Sequence, residues 1–285
     1  MTSGRVTTGS GYLKVVRQRA EQAIAFATDS APHRACEGER RWAMAGALPA
    51  ARVLIEQPNL DDHALLKEAA RSLAQTLADP INKITDGFGH ARPSYALFAI
   101  HLLGSAARLN EQREAIEHTR QAATTLLNRE TTSGPVDPRL AAWRRLIARQ
   151  NGLHEAEDLP LPSTDPAPLV PLGLNDLIDS WTYYELVGLH GLHLCSQLEE
   201  DDALAQRVCS AAEYHLGHTQ PDYTTYQPWG LAAFVSDPQT AVFAEQQLHD
   251  VATHLSIEGP GGAVMPALLL ADAAATMAGR LARHG

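Results

Sequence analysis

The chain has little of several things, and each shortage excludes a class of protein. Three cysteines occur in 285 residues, Cys36, Cys195 and Cys209, with no CxxC pair. They cannot all pair, so a disulfide framework is not expected. No stretch reaches 18 apolar residues without a charge, which excludes a membrane-spanning helix. Lys and Arg number 23 against 33 Asp and Glu, a net charge of −10. Phosphate backbones are held by positive charge that releases counterions, so this balance argues against nucleic acid as a partner. The basic run from Arg139 to Arg149 reads as one helix face and does not change that. Short catalytic signatures are missing too. There is no HExxH, GxGxxG or GKS/T, no serine in a GxSxG context, and no cysteine placed for a triad. Neither a metal nor a cofactor is therefore expected. The opening "MTSGRVTTGSG" lacks the apolar run of a signal peptide, so residues 1–10 read as a disordered tail of a soluble, cytoplasmic protein.

What is present is helix-forming. With 45% hydrophobic residues the chain has enough apolar surface for one large core, and residues 11–285 read as a single helical domain. The 3.6-residue period between Gly/Pro breaks predicts helices over roughly 12–28, 40–56, 61–78, 93–108, 110–129, 138–150, 174–197, 200–217, 229–235, 238–255 and 262–282. No β-branched alternation marks a strand, so the fold class is all-α. The stretch 151–172 contains "LPLPSTDPAPLVP" and cannot be helical. It is either a segment that wraps the helices or a linker between two lobes. "RLAAWRRLIARQ" just before it looks too polar for a fully packed helix.

A weak internal repeat organises part of the chain. At an offset of 89 residues, "YALFAIHLLGSAARLNE" from Tyr95 lies against "YELVGLHGLHLCSQLEE" from Tyr184. Tyr95 then meets Tyr184, His101 meets His190, and Glu111 meets Glu200. Each copy is an apolar helix, a short acidic turn, and a more polar helix. That alternation of packed inner helices (40–56, 93–108, 174–197, 229–235, 262–282) with half-exposed outer ones (61–78, 110–129, 200–217, 238–255) resembles the α/α-toroid group. Helix 12–28 would close the ring. The group includes many glycan-processing enzymes and terpenoid cyclases, but neither a repeated QW signature nor a DxDD is found here. The resemblance is one of architecture, and architecture does not fix chemistry.

In such a ring the loops entering the inner helices gather at one mouth. Those loops are the unusual parts of this sequence: "ACEGERRW", "TDGFGHARPSY", "LNDLIDSWTYYE", "TQPDYTTYQPW" and "IEGPGG". Four of the five set carboxylates beside aromatic, histidine or arginine residues. The fourth either walls a pocket or closes one end of the core with its aromatics. Glu185 stands in an otherwise apolar helix and must be paired, hydrogen-bonded or protonated. It is either a general acid with a raised pKa or a structural bridge. Asp179 and Asp176, one to three turns earlier, are candidates for the second carboxylate of an acid/base pair, and Asp222 is a further acid/base candidate. His90, Arg92, Trp181, Tyr183, Tyr184, Tyr223, Tyr226, Gln227 and Trp229 are the candidate ligand-binding residues. His190 with His193 and His215 with His218 have i, i+3 spacing, which alone does not make a metal site.

Two functions follow. One is an enzyme or ligand binder of toroid type, acting on a small polar, sugar-like molecule by carboxylate chemistry, as a hydrolase or a lyase, with a terpenoid- or lipid-binding variant. The other is a non-catalytic helical-repeat scaffold for a protein partner, which calls for an exposed apolar patch formed by outer-face residues rather than by loop aromatics.

Overall fold

The computed structural model describes residues 113–131, 137–153 and 158–219, with single positions between 94 and 108 and between 229 and 240. All regular structure among these residues is helical. Among the described residues four helices are defined: α1 (Arg113–Thr131), α2 (Pro138–Gln150), α3 (Ile178–Glu199) and α4 (Asp202–His218). Ser94, Ala96 to Phe98, Ile100, His101, Gly104 and Arg108 are also helical, within the stretch read as a helix over 93–108. No described helix is long and apolar enough to cross a membrane. The tail 1–10 and the expected helices 12–28, 40–56, 61–78 and 262–282 lie outside the described residues; of 238–255, only Thr240 falls within them.

The ends of α2 are set by local chemistry. Asp137 caps its N-terminus by accepting the Arg139 N–H at 2.9 Å, with Pro138 in the first turn, where no partner for an N–H is needed. At the other end Gly152 has φ +66°, and the N–H groups of Gly152 and Leu153 donate back to the carbonyls of Arg149 and Ala148. That pair of bonds is a Schellman motif, which favours glycine for its left-handed residue. The α3–α4 turn is tighter. Glu200 is left-handed (φ 52°), and Asp201 at once caps α4 by accepting from the N–H groups of Ala203 and Leu204.

Contrary to its polar composition, α2 is packed on nearly all sides. Leu140 to Arg144 and Leu146 to Ala148 are buried. Its arginines do not form one solvated face but are engaged separately. Arg139 pairs with Asp137, Arg144 donates to the Leu127 carbonyl of α1 at 3.4 Å, and Arg145 and Arg149 meet Glu199 of α3. The side chains of Arg139, Arg144 and Arg145 are largely buried with their heads on acceptors, while Arg149 stays more than half exposed.

The close approach of α2 to α3 depends on two glycines. A Cβ on Gly191 would lie 2.5 to 2.8 Å from three atoms of the Trp143 indole, and one on Gly188 would lie 2.9 Å from the Arg139 carbonyl oxygen. The indole Nε1 donates to the Val187 carbonyl at 2.7 Å. Around Trp143 the rings of Phe98, His101, His190 and Trp229 sit at centroid distances of 5.4 to 6.1 Å. His101 and His190, the pair related by the 89-residue offset, therefore meet the same indole. Arg108 donates to the Gln150 carbonyl at 2.6 Å, joining the 94–108 stretch to the end of α2.

Residues 158–177 are not helical and cross the surface of α3 and α4. Of residues 158–170 only Leu169 is buried, and every residue from Pro171 to Ser180 is exposed. α3 accordingly begins at Ile178 rather than 174. Its entry residues stand in solvent, and they need no helical partner.

Candidate functional site

Two neighbourhoods on α3 bring candidate residues together. The first is built on Glu185, which is fully buried. Its carboxylate accepts the main-chain N–H of Leu169 at 2.7 Å and of Val170 at 2.8 Å, one on each oxygen. Imidazole Nε2 of His215 on α4 lies 3.5 Å from the same carboxylate. One turn earlier on α3, the Trp181 indole donates to the Val170 carbonyl at 2.9 Å. From α4, Arg207 donates to the carbonyls of Ala167 (2.9 Å) and Pro168, and Ser210 to that of Asp165 (2.6 Å). Glu185 is thus the partnered carboxylate its apolar surroundings demand, and its partners are main-chain groups of the Pro-rich segment.

The second neighbourhood is a ledge near the start of α3. Tyr183 and Tyr184 are half-buried, their rings edge to face at 5.2 Å. The Tyr183 hydroxyl lies 3.3 Å from Ser94 Oγ, and the Arg139 guanidinium stands 5.2 Å from the Tyr184 ring centroid. Arg139 also forks onto Asp137, with bonds of 2.9 and 2.7 Å. Burial alone would push the Asp137 carboxyl up, but the hydrogen bonds from Arg139 outweigh it and leave the carboxyl below its ordinary range.

The candidate residues distribute unevenly over these places. Glu185 and Trp181 belong to the first, Tyr183 and Tyr184 to the second. Asp179 is exposed, six residues before Glu185. At about 100° per residue the two carboxylates leave α3 about 120° apart around its axis, so the helix does not aim them together. Trp229 is fully buried, edge to face with Phe98 and Trp143. His90, Arg92, Asp222, Tyr223, Tyr226 and Gln227 lie outside the described residues.

The histidine pairs serve separate surroundings. His190 and His193 are buried in α3. His215 is buried with Nδ1 2.7 Å from the Thr219 hydroxyl, whereas His218 is exposed and stacks on Tyr214 at 4.3 Å. Among the described residues no three His, Cys, Asp or Glu side chains converge as metal ligands.

The sequence pattern singled out His215 only as half of a pair with His218, and Arg207 and Ser210 passed as part of a half-exposed helix. Their spacing of i, i+3 and i+8 does place them on one face of α4, and a buried polar stripe at that spacing was the available signal. Nothing local indicated that the stripe would meet a segment forty residues earlier. Comparison with known protein families, with curated proteins and with solved structures finds no match to this chain.

Proposed function

We propose that the chain is a non-catalytic helical module, on an α/α-toroid plan, that binds a protein partner through an apolar patch at the entry to α3. The observation that carries the reading is exposure. Leu172, Leu174, Leu177 and Ile178 expose 45%, 106%, 75% and 59% of their surface within seven residues. Single exposed leucines are ordinary, but a contiguous run marks an interaction surface. Asp176 and Asp179 stand exposed among these leucines, on a chain of net charge −10. The fitting partner presents an apolar face bordered by Lys and Arg, and like charge disfavours a second copy of this chain. The toroid plan is supported by the 89-residue relation, which sets His101 and His190 against one indole and Ser94 beside Tyr183.

Isothermal titration with a synthetic amphipathic Leu/Lys helix of about 14 residues tests this. The expected result is binding that weakens at least tenfold in the Leu174→Ser/Leu177→Ser double variant and in high salt. Both leucines are exposed, so the substitutions leave the core alone. Equal binding by wild type and variant would remove the patch from the account.

A second reading has an observation of its own. The Ser94–Tyr183 contact brings the entry of the 93–108 helix to the entry of α3, as a toroid mouth would. The half-buried tyrosines beside Arg139 then offer ring faces and charge to a small polar, sugar-like ligand, or to a terpenoid one. Of the acid/base candidates Glu185, Asp179 and Asp222, the first is engaged by the Leu169 and Val170 amides, so hydrolase or lyase chemistry at this ledge would have to draw on Asp179 or Asp222. A thermal-shift screen against sugars, uronic acids and isoprenoids tests it, since a ligand bound only to the native state raises the melting temperature.

A further inference from the structure

The Pro-rich segment is held in an unusual way. Between Asp165 and Val170, each hydrogen bond from α3 and α4 goes to main chain, and none to a side chain of the segment. Ser210 donates to the carbonyl of residue 165, and Arg207 to those of 167 and 168. Glu185 takes the N–H groups of 169 and 170, and Trp181 donates to the carbonyl of 170. The four side chains that do this are all at least nine-tenths buried, with exposures of 0% to 4%. Only one side chain of the segment, Leu169, is buried, and it lies against Gly188, where a Cβ would sit 2.8 Å from Leu169 Cδ1. Pro166 and Pro168 carry no N–H, so a segment of this composition asks for fewer main-chain acceptors and is predisposed to an extended form.

A core segment is ordinarily anchored by burying its own side chains. Here the cleft between α3 and α4 reads the backbone, plus one aliphatic group. Such a site is indifferent to most of the sequence placed in it, as in other modes of extended-peptide recognition. Part of its hydrogen-bonding capacity is also unused: the buried Nε of Arg207 has no hydrogen-bond partner among the described residues. We propose that the α3–α4 cleft is a peptide-binding site, occupied in the resting chain by residues 165–170 as an internal pseudo-ligand. Its external ligand is an extended Pro-X-Pro-aliphatic segment of a partner protein. The internal segment is tethered, so a competing peptide must overcome a high effective concentration, and occupancy is thereby autoinhibited. This inference shares with the function proposed above only that the partner is a protein. It needs none of Leu172, Leu174, Leu177 or Ile178, so either can fail alone.

The test uses the full chain and a fluorescent peptide with its own residues 163–172, Ser-Thr-Asp-Pro-Ala-Pro-Leu-Val-Pro-Leu. Leu169→Asp removes the aliphatic anchor and sets a second carboxylate beside Glu185, releasing the internal segment. In fluorescence anisotropy this variant is expected to bind the peptide at least tenfold more tightly than wild type. Adding Arg207→Ala is expected to cancel the gain. Should Leu169→Asp lose its helical circular dichroism, wild type provides the reading. Millimolar peptide should then speed hydrogen exchange at the Leu169 and Val170 amides while leaving the amides of α2 unchanged. No binding by a folded Leu169→Asp variant, or no change in wild-type exchange, overturns the proposal. Dimer mass in light scattering without added peptide would also overturn it, because the cleft would then take the segment of a second copy.

Discussion

A carboxylate with no exposed surface has to be satisfied by something, and Glu185 is satisfied by two amide groups fifteen and sixteen residues earlier in the chain. Its isolation in an apolar helix was legible from sequence because burying an unpaired charge is costly. Its partners were not, since any residue but proline supplies a main-chain N–H and no side chain advertises the pairing. Replacing Glu185 with Gln turns one acceptor into an NH₂ group facing a donor, at a cost of about 1–3 kcal/mol for the unsatisfied pair. The expected result is a lower melting temperature, with faster exchange at the Leu169 and Val170 amides. Unchanged exchange there would mean the carboxylate does not hold the segment. Cys195 makes a second prediction at this scale. Burial first, then the neighbouring Glu199 carboxylate, pushes its thiol up to about 12. The thiolate is the reactive form, so at pH 8 iodoacetamide should label the half-buried Cys209 well before Cys195, as read by peptide mass spectrometry.

At the scale of elements, the crossing of α2 and α3 explains why "GLHGLH" reads as it does. Gly188 and Gly191 cost helix propensity but let the Trp143 indole and the Arg139 backbone come close. Alanine at an ordinary helical glycine stabilises; at Gly191 it should destabilise, by about 1–3 kcal/mol of overpacking against the indole. Chemical denaturation gives the sign, and a gain in stability would contradict the crossing. The same crossing ends on the Arg145–Glu199 fork. Hydrogen bonds from Arg145 hold the Glu199 carboxyl below its ordinary range, so the pair stabilises the fold above the unfolded carboxyl value of about 4.3. That contribution is lost as pH falls through the depressed folded value. Glu199→Gln should therefore flatten the acid side of a melting-temperature profile between about pH 5 and pH 2. Helix periods between Gly/Pro breaks placed α1 to α4 within a few residues, although α3 is buried all round from Glu185 to His193 and has no single apolar face. They mislead about the burial of α2, because composition does not show that Arg139 and Arg144 find acceptors of their own while Arg145 and Arg149 share Glu199.

Across the whole molecule, an acidic chain presents an apolar patch at the start of α3. The side chains that clamp 165–170 hold the chain just before that patch, so Leu172 to Ile178 leave an anchored segment rather than a loose one. That all regular structure among the described residues is helical was readable from periodicity and from the lack of any strand alternation. The patch was not singled out from "PLGLNDLID", because the pattern does not distinguish a helix start turned to the core from one turned to solvent. Hydrogen exchange across the full chain, with and without the Leu/Lys peptide, tests the docking surface most directly. The account predicts that bound peptide slows exchange within residues 172–180 and leaves the Tyr183–Tyr184 ledge unchanged. Slowing confined to other residues, or none at saturating peptide, would contradict it.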